Sequence, residues 1–261
     1  MLPILDDIFG SLANPVVMAV VIGTAALVLV LAEVIRRRHY RPTLRELPPY
    51  EFVTNQLGRV VESGGRVHIS TGPTGIGGEN TAITVAAVAA MREVASSATV
   101  SDKPPVVTTS DATTLPLMSD VLYRTYQRRS ATARYERSST RLVALDRVTL
   151  AGALTTLIWD DTVESNVLLG SFTEELALVT ETGQRKRIGQ TAGSDRIEGV
   201  AAAYPSTEHT LIGEELFVAP AYMNEPTDAD LAGVITNDIL RVVLIGAIIV
   251  GTVMTSLGVL Q

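Results

Sequence analysis

The sequence predicts an α/β fold: a Rossmann-like, mostly parallel sheet flanked by helices, set between N- and C-terminal transmembrane helices. Three observations predict it. Long apolar runs stand near both ends of the sequence, the middle alternates short apolar runs with helix-length segments, and small polar residues recur where the short runs stop.

The first long run, Pro15 to Ile35, reads PVVMAVVIGTAALVLVLAEVI, with Glu33 as its only charge. The second, Val242 to Leu260, reads VVLIGAIIVGTVMTSLGVL and has none. At about 1.5 Å of rise per residue, each reaches across a hydrocarbon core of about 30 Å. A cleaved signal peptide needs a basic start, a short apolar middle and a small-residue cleavage site. Here Asp6 and Asp7 precede a long apolar stretch and Arg36, Arg37 and Arg38 follow it, the pattern of an uncleaved anchor. Every Lys and Arg falls between Arg36 and Arg241. Basic residues beside a span favour the cytoplasmic side, so a two-pass protein of the cell membrane is expected, with both termini outside and the α/β domain in the cytoplasm. Ala19 and Gly23 share one helix face, as do Ala247, Gly251 and Thr255. Small residues at that spacing let helices approach closely in lipid, which predicts that the spans pack together near Gly23 and Gly251.

Between the spans, RPTLRELPP (Arg41–Pro49) is a proline-rich linker, and Tyr50–Glu62 a short amphipathic helix closed by Gly64 and Gly65. Strands are expected at Arg66–Thr71, Pro105–Asp111, Thr140–Asp146, Ser165–Phe172, Arg187–Gly193 and His209–Glu215. Helices are expected at Asn80–Ser97 with Asn80 as cap, Thr113–Ser130 interrupted by Pro116, Val148–Asp160, Thr173–Thr182 and Ser194–Tyr204. Such alternation reads as βαβ units and a parallel sheet. The expected layout is an outside stub (1–14), a span (15–35), a juxtamembrane linker and short helix (36–65), the α/β domain (66–226), and a helix (227–260) containing the second span at 242–260.

Composition narrows the function. Twenty-one basic against 28 acidic residues give a net charge of −7, which argues against a nucleic-acid partner. Without cysteine there is no disulfide, no thiolate chemistry and no cysteine zinc site. His39, His68 and His209 lack the spacing of a metal motif, so no metal site is expected, and the sequence names no cofactor.

In parallel sheets ligands bind beyond the carboxyl ends of the strands. The most informative element there is GPTGIGG, Gly72 to Gly78, between a strand and a helix. A glycine turn of this kind lets backbone N–H groups approach an anion, which predicts a small anionic ligand against Gly72, Gly75, Gly77, Gly78 and Asn80. It is neither the dinucleotide fingerprint, since Asn80 replaces the last glycine, nor a P-loop, since no Gly-Lys-Ser/Thr follows. The alternative is a turn that lets helix and sheet pack closely. Asp111, Ser171, Glu214 and Glu215 also stand at strand ends and join the candidate set. Ser171 lacks the G-x-S-x-G elbow of hydrolases. The arginines from Arg124 to Arg141, and Arg185-Lys186-Arg187, read as solvated faces or contacts to anionic lipid.

The glycine turn at Gly72–Gly78, PVVTTSD at Pro105–Asp111, NVLLGSFTEE at Asn166–Glu175, TAG at Thr191–Gly193 and LIGEELF at Leu211–Phe217 resemble an uncharacterised family of two-pass bacterial membrane proteins with a domain of unknown function. The resemblance implies an architecture and no activity. The functional expectation is a membrane-anchored binding or assembly module, in contact with the bilayer and acting within a homo-oligomer or a larger membrane complex. The alternatives are an enzyme using the same crevice on a nucleotide or phosphorylated substrate, and an accessory subunit whose crevice is filled by its own side chains.

Overall fold

The computed structural model describes residues 15–38, 42–160, 162–224 and 226–256. The predicted outer stub and the last residues of the second predicted span (257–260) lie outside the described residues. The chain divides into two compact units, Glu46–Asn224 and, together, Met1–Arg45 with Glu225–Gln261.

The larger unit is built on a six-stranded sheet. Its elements in chain order are α2 (Pro48–Ser63), β1 (Arg66–Gly72), α3 (Thr81–Ala98), β2 (Val106–Thr109), α4 (Thr114–Arg128), β3 (Thr140–Leu142), α5 (Arg147–Asp160), β4 (Val163–Gly170), α6 (Glu175–Lys186), β5 (Gly189–Ser194), α7 (Ile197–Ala203), β6 (His209–Ile212) and α8 (Ala219–Met223), with α1 and α9 in the other unit. Every pairing is parallel and the strand order is β3-β2-β1-β4-β5-β6. This is the doubly wound order, in which the two halves of the sheet run outward from a switch point between β1 and β4.

Alternation along the strands splits the core. Val67, Ile69, Val107, Val167 and Leu169 face a cluster with α2, α3 and α4. Leu168 and Ala192 face the opposite one, with Leu150, Leu154 and Ile158 of α5 and Leu176 and Val179 of α6. As central strands covered on both sides, β1 is buried from Val67 to Gly72 and β4 at every position but Glu164.

Three details differ from the sequence reading. The unit begins at Glu46 rather than Arg66, because α2 buries Tyr50, Val53, Leu57 and Val60 in the core and is no mere juxtamembrane helix. Pro116 does not interrupt α4, since it lies in the first turn, where a missing N–H breaks no intrahelical bond. The third strand stops at Leu142, and Asp146 instead caps α5, accepting from the N–H groups of Val148 and Thr149 at 3.1 Å each.

The smaller unit pairs α1 (Pro15–Arg38) with α9 (Asp228–Ser256). Met18–Arg38 is long and apolar enough to cross a membrane, and it is the one such helix among the described residues. Glu33 is paired with Arg36 and Arg37 at its end. The last turns of α1 meet the first turns of α9 through Ile35, Leu231 and Ala232, with Val28, Leu31, Ala32 and Ile235 around them. Among the described residues the expected close approach at Gly23 is not seen: a side-chain carbon on Gly23 would meet none of them within 4 Å. The surroundings of Gly251 lie outside what is described.

Candidate functional site

At the switch point, where doubly wound sheets open a crevice, this sheet is closed. Gly72 ends β1 at φ +63°, and a Cβ there would lie 2.5 Å from Cζ of Phe172, whose ring is fully buried. A Cβ on Gly170 would lie 2.1 Å from the carbonyl oxygen of Thr71, so the ends of β1 and β4 touch through backbone. Thr74 is fully buried beside them; its hydroxyl donates to the Thr71 carbonyl (2.9 Å), and its own carbonyl accepts from the Thr114 hydroxyl (2.6 Å).

The glycine loop is stapled by threonines. Ile76 N–H donates to Thr113 Oγ1 (3.0 Å), and Gly77 and Gly78 N–H both donate to Thr81 Oγ1 (3.0 and 3.1 Å). The Thr84 hydroxyl donates to the Gly75 carbonyl (2.9 Å). Gly77 and Gly78 are exposed at the tip, Gly77 at φ +101°, a backbone region that favours glycine. Asn80 makes no side-chain cap, and the Thr81 hydroxyl serves the loop before the helix rather than the helix start. The Asp111 carboxylate packs on Gly75, where a Cβ would lie 2.6 Å from Oδ2, and accepts from Thr113 N–H (2.7 Å) and Thr114 N–H (3.2 Å). The three N–H groups of the loop that an anion would use are thus satisfied by hydroxyls, and a carboxylate lines the same turn.

Structure therefore brings Gly72, Gly75, Gly77, Gly78, Asn80 and Asp111 together, with Ser171 next to Gly170 at the neighbouring strand end. Ser171 Oγ and Ser110 Oγ are buried without a hydrogen-bond partner among the described residues. Glu214 and Glu215 stand apart, beyond β6, three strands from β1 and so about 14 Å away at about 4.8 Å per strand. The Glu215 carboxylate accepts from Ile212 N–H (3.1 Å), and its carbonyl accepts from the Tyr50 hydroxyl (2.5 Å). Burial, then the Glu215 charge, pushes the Tyr50 phenol well above its ordinary range. Among the described residues no three His, Cys, Asp or Glu side chains gather as metal ligands.

Arg147 holds the loop after β4. Its Nη1 donates to the Ser171 carbonyl (3.1 Å), Thr173 Oγ1 (3.2 Å) and the buried Glu175 carboxylate (2.7 Å). Nearby, the Thr149 N–H, followed by burial acting the other way and the Thr149 hydroxyl, sets the Asp146 carboxyl below its usual range. Around this closed edge stand exposed aliphatic side chains: Ile76 after β1, Leu145 and Val148 after β3, Ile197 after β5 and Ile212 at the end of β6.

Sequence reading missed a buried polar row on the α5–α6 face. Thr108, His68, Asn166 and Gln190 are all at most 3% exposed; His68, Asn166 and Gln190 are register partners on β1, β4 and β5, and Thr108 of β2 stands opposite Ser70, two residues along. His68 Nε2 meets Thr108 Oγ1 at 2.9 Å and Nδ1 meets Asn166 Oδ1 at 2.7 Å; Asn166 Nδ2 donates to Gln190 Oε1 at 3.2 Å. Gln190 Nε2 then donates to the carbonyls of Thr180 (2.8 Å) and Ser206 (3.1 Å). The available signal is a histidine and two amides, His68, Asn166 and Gln190, inside segments expected to be buried strands.

No curated protein and no solved structure is similar enough to the chain to count as a match. Residues 8–261, nearly the whole sequence, match the family described as domain of unknown function (DUF6754), and the chain belongs to that family.

Proposed function

We propose that this chain is a membrane-anchored α/β assembly module, docking partner subunits through the carboxyl edge of its sheet. The reading rests on the state of that edge: Phe172 fills the switch point, and exposed Ile76, Leu145, Val148, Ile197 and Ile212 stand on the loops around it. Several large aliphatic side chains exposed along one edge of a folded domain are candidate contacts for a protein partner. Anchoring is by α1 and, in the same proposal, by a second span within 242–260. The arginine distribution supports an α/β unit on the cytoplasmic side of the cell membrane in this proposal. In this reading the bilayer is one partner, and copies of the chain or other membrane subunits are the rest.

A second reading, a small anionic ligand at the glycine loop or an enzyme acting on a nucleotide or phosphorylated substrate, draws support from Ser110 and Ser171. Two buried hydroxyls without partners flank the end of β1, and such groups normally find a hydrogen bond. Native mass spectrometry of the protein released from mild detergent separates the readings. Oligomers or co-purified subunits that dissociate in Ile197→Asp support assembly. A monomer carrying a stoichiometric small molecule supports the second reading. Because the chain has no cysteine, Ser11→Cys, Ser138→Cys and Gln261→Cys variants report topology cleanly. An impermeant thiol reagent on intact cells should label Ser11→Cys and Gln261→Cys only; labelling of Ser138→Cys alone inverts the orientation.

A further inference from the structure

The open concavity of the α/β unit lies at the opposite edge of the sheet from the glycine loop. A cleft of about 800 Å³ runs along the amino ends of β4 and β5, between the end of α2 and the end of α6. Its size falls within the range of small-molecule sites, roughly 300–1,000 Å³. Its walls are polar. Gln56 and Arg59 come from α2, Gln184 and Lys186 from α6, Arg187 from the turn that follows, and Gln190 from β5.

Two features set the cleft apart from an ordinary surface groove. First, Arg59 and Arg187 are exposed, and neither guanidinium has a hydrogen bond or ion pair among the described residues. Elsewhere in the same unit Arg92, Arg124, Arg147 and Arg185 are paired with carboxylates. Lys186 adds a third positive charge, its ammonium held against the Ile158 carbonyl at 2.5 Å. The acidic side chains of the lining are Glu164, which accepts from the Ser63 hydroxyl, and Glu208. Second, Arg187 has φ +59°. It closes α6 at the left-handed position where glycine or asparagine is the ordinary choice. A long cationic side chain held in that conformation at the mouth of a cleft is the kind of outlier that points to use rather than to folding.

The floor is fixed. Gln190 is pinned on three sides by Asn166, Thr180 and Ser206, and a Cβ on Gly183 would lie 2.1 Å from its Oε1. Gly189 similarly admits Gln56, whose Cδ would lie 2.5 Å from a Cβ there. Amide and hydroxyl groups on rigid walls suit a hydroxyl-rich body, and guanidinium forks suit a phosphate.

We propose that the amino-edge cleft is a binding site for a small phosphorylated, hydroxyl-rich molecule, with Arg59 and Arg187 on its phosphate, the Gln56 and Gln184 amides on its body, and Gln190 holding the floor beneath. The site is independent of the assembly reading, which concerns the other edge.

The test is calorimetric titration of the full detergent-solubilised chain with ribose 5-phosphate, with inorganic phosphate and with ribose. Saturable binding of ribose 5-phosphate, tighter than that of phosphate alone, is expected, with ribose silent. Arg59→Gln combined with Arg187→Gly should weaken it by at least about tenfold, which is about 1.4 kcal/mol. The single variant Arg187→Gly guards against a folding artefact. Glycine suits the left-handed turn, so its thermal midpoint should hold or rise while binding falls. An unchanged affinity in Arg187→Gly, or no saturable binding of either phosphate compound by the parent, overturns the proposal. Equal affinity for phosphate and ribose 5-phosphate overturns the part assigned to the amides.

Discussion

The two edges of this sheet are opposites. At the carboxyl edge the strand order creates the junction where doubly wound proteins hold ligands, yet Phe172, Thr74 and the Thr71–Gly170 backbone contact fill it. At the amino edge no topological rule calls for a site, yet a cleft opens there with unpaired guanidinium groups on its walls. Topology decides which loops meet. Side-chain volume at two or three positions decides whether anything else fits between them. A fold-level rule therefore locates a junction and says little about its occupancy.

The sharpest way to break the comparison is to unplug the junction. Phe172 is fully buried against Gly72 and belongs to the α5–α6 core cluster. Truncating a buried phenylalanine generally costs about 3–5 kcal/mol, partly for lost transfer energy and partly for the cavity left behind. Phe172→Ala should lose stability in that range in denaturant melts of the detergent-solubilised chain. A loss below about 1 kcal/mol would mean that the site collapses freely or was never tightly closed, and the contrast between the edges would weaken.

An effect of comparable size is expected from the polar row that lies between the edges. His68 bridges Thr108 and Asn166 with no exposure to solvent. His68→Ala leaves both partners short of a hydrogen bond, and buried unsatisfied groups cost about 1–3 kcal/mol each. Since Asn166 leads on to Gln190 at the cleft floor, the same variant should also loosen the amino edge. Amide exchange at β5 ought to quicken while exchange in the glycine loop stays as it was. Uniform acceleration throughout the unit would mean that the row only adds global stability.

Much of this arrangement was legible in the sequence, and the misses have physical causes. Each of the six strands was located from apolar runs ending in small residues, because parallel strands buried on both faces leave that imprint. Helix α2 is legible as a short amphipathic helix from the spacing of Tyr50, Val53, Leu57 and Val60, but the prolines before it place it with the juxtamembrane segment and mask how deeply it is buried in the domain. Gly72 to Gly78 was found as a turn, but periodicity carries no information about what a loop's N–H groups bond to. That depends on Thr113, a residue from another strand's loop, as well as on Thr81. Closure by Phe172 was hidden for the same reason, since Phe172 and Gly72 are far apart in the chain. The cleft was out of reach altogether: its walls come from α2, α6 and the starts of β4 and β5, and nothing in any one segment signals the space between them.

The smallest predicted effect tests the stapling of the loop directly. Thr81 Oγ1 accepts from two N–H groups, those of Gly77 and Gly78, and itself donates to the Gly78 carbonyl at 2.7 Å. These bonds tie the loop to the start of α3 rather than capping the helix itself, since both donors precede Thr81. An intramolecular hydrogen bond contributes about 1 kcal/mol net, so Thr81→Ala should lower the unfolding free energy by about 1 kcal/mol, with an unchanged slope. Thr81→Ser keeps the oxygen and should stay within about 0.5 kcal/mol of the parent, the usual scatter of surface substitutions. That pair of variants distinguishes hydrogen bonding from methyl packing. If both lose stability equally, the methyl group is what matters, and the N–H groups of Gly77 and Gly78 are satisfied by water rather than by the chain. The carboxyl edge would then keep free donors at its tip, and the contrast with the amino edge would rest on the filling of the junction by Phe172, Thr74 and the Thr71–Gly170 contact.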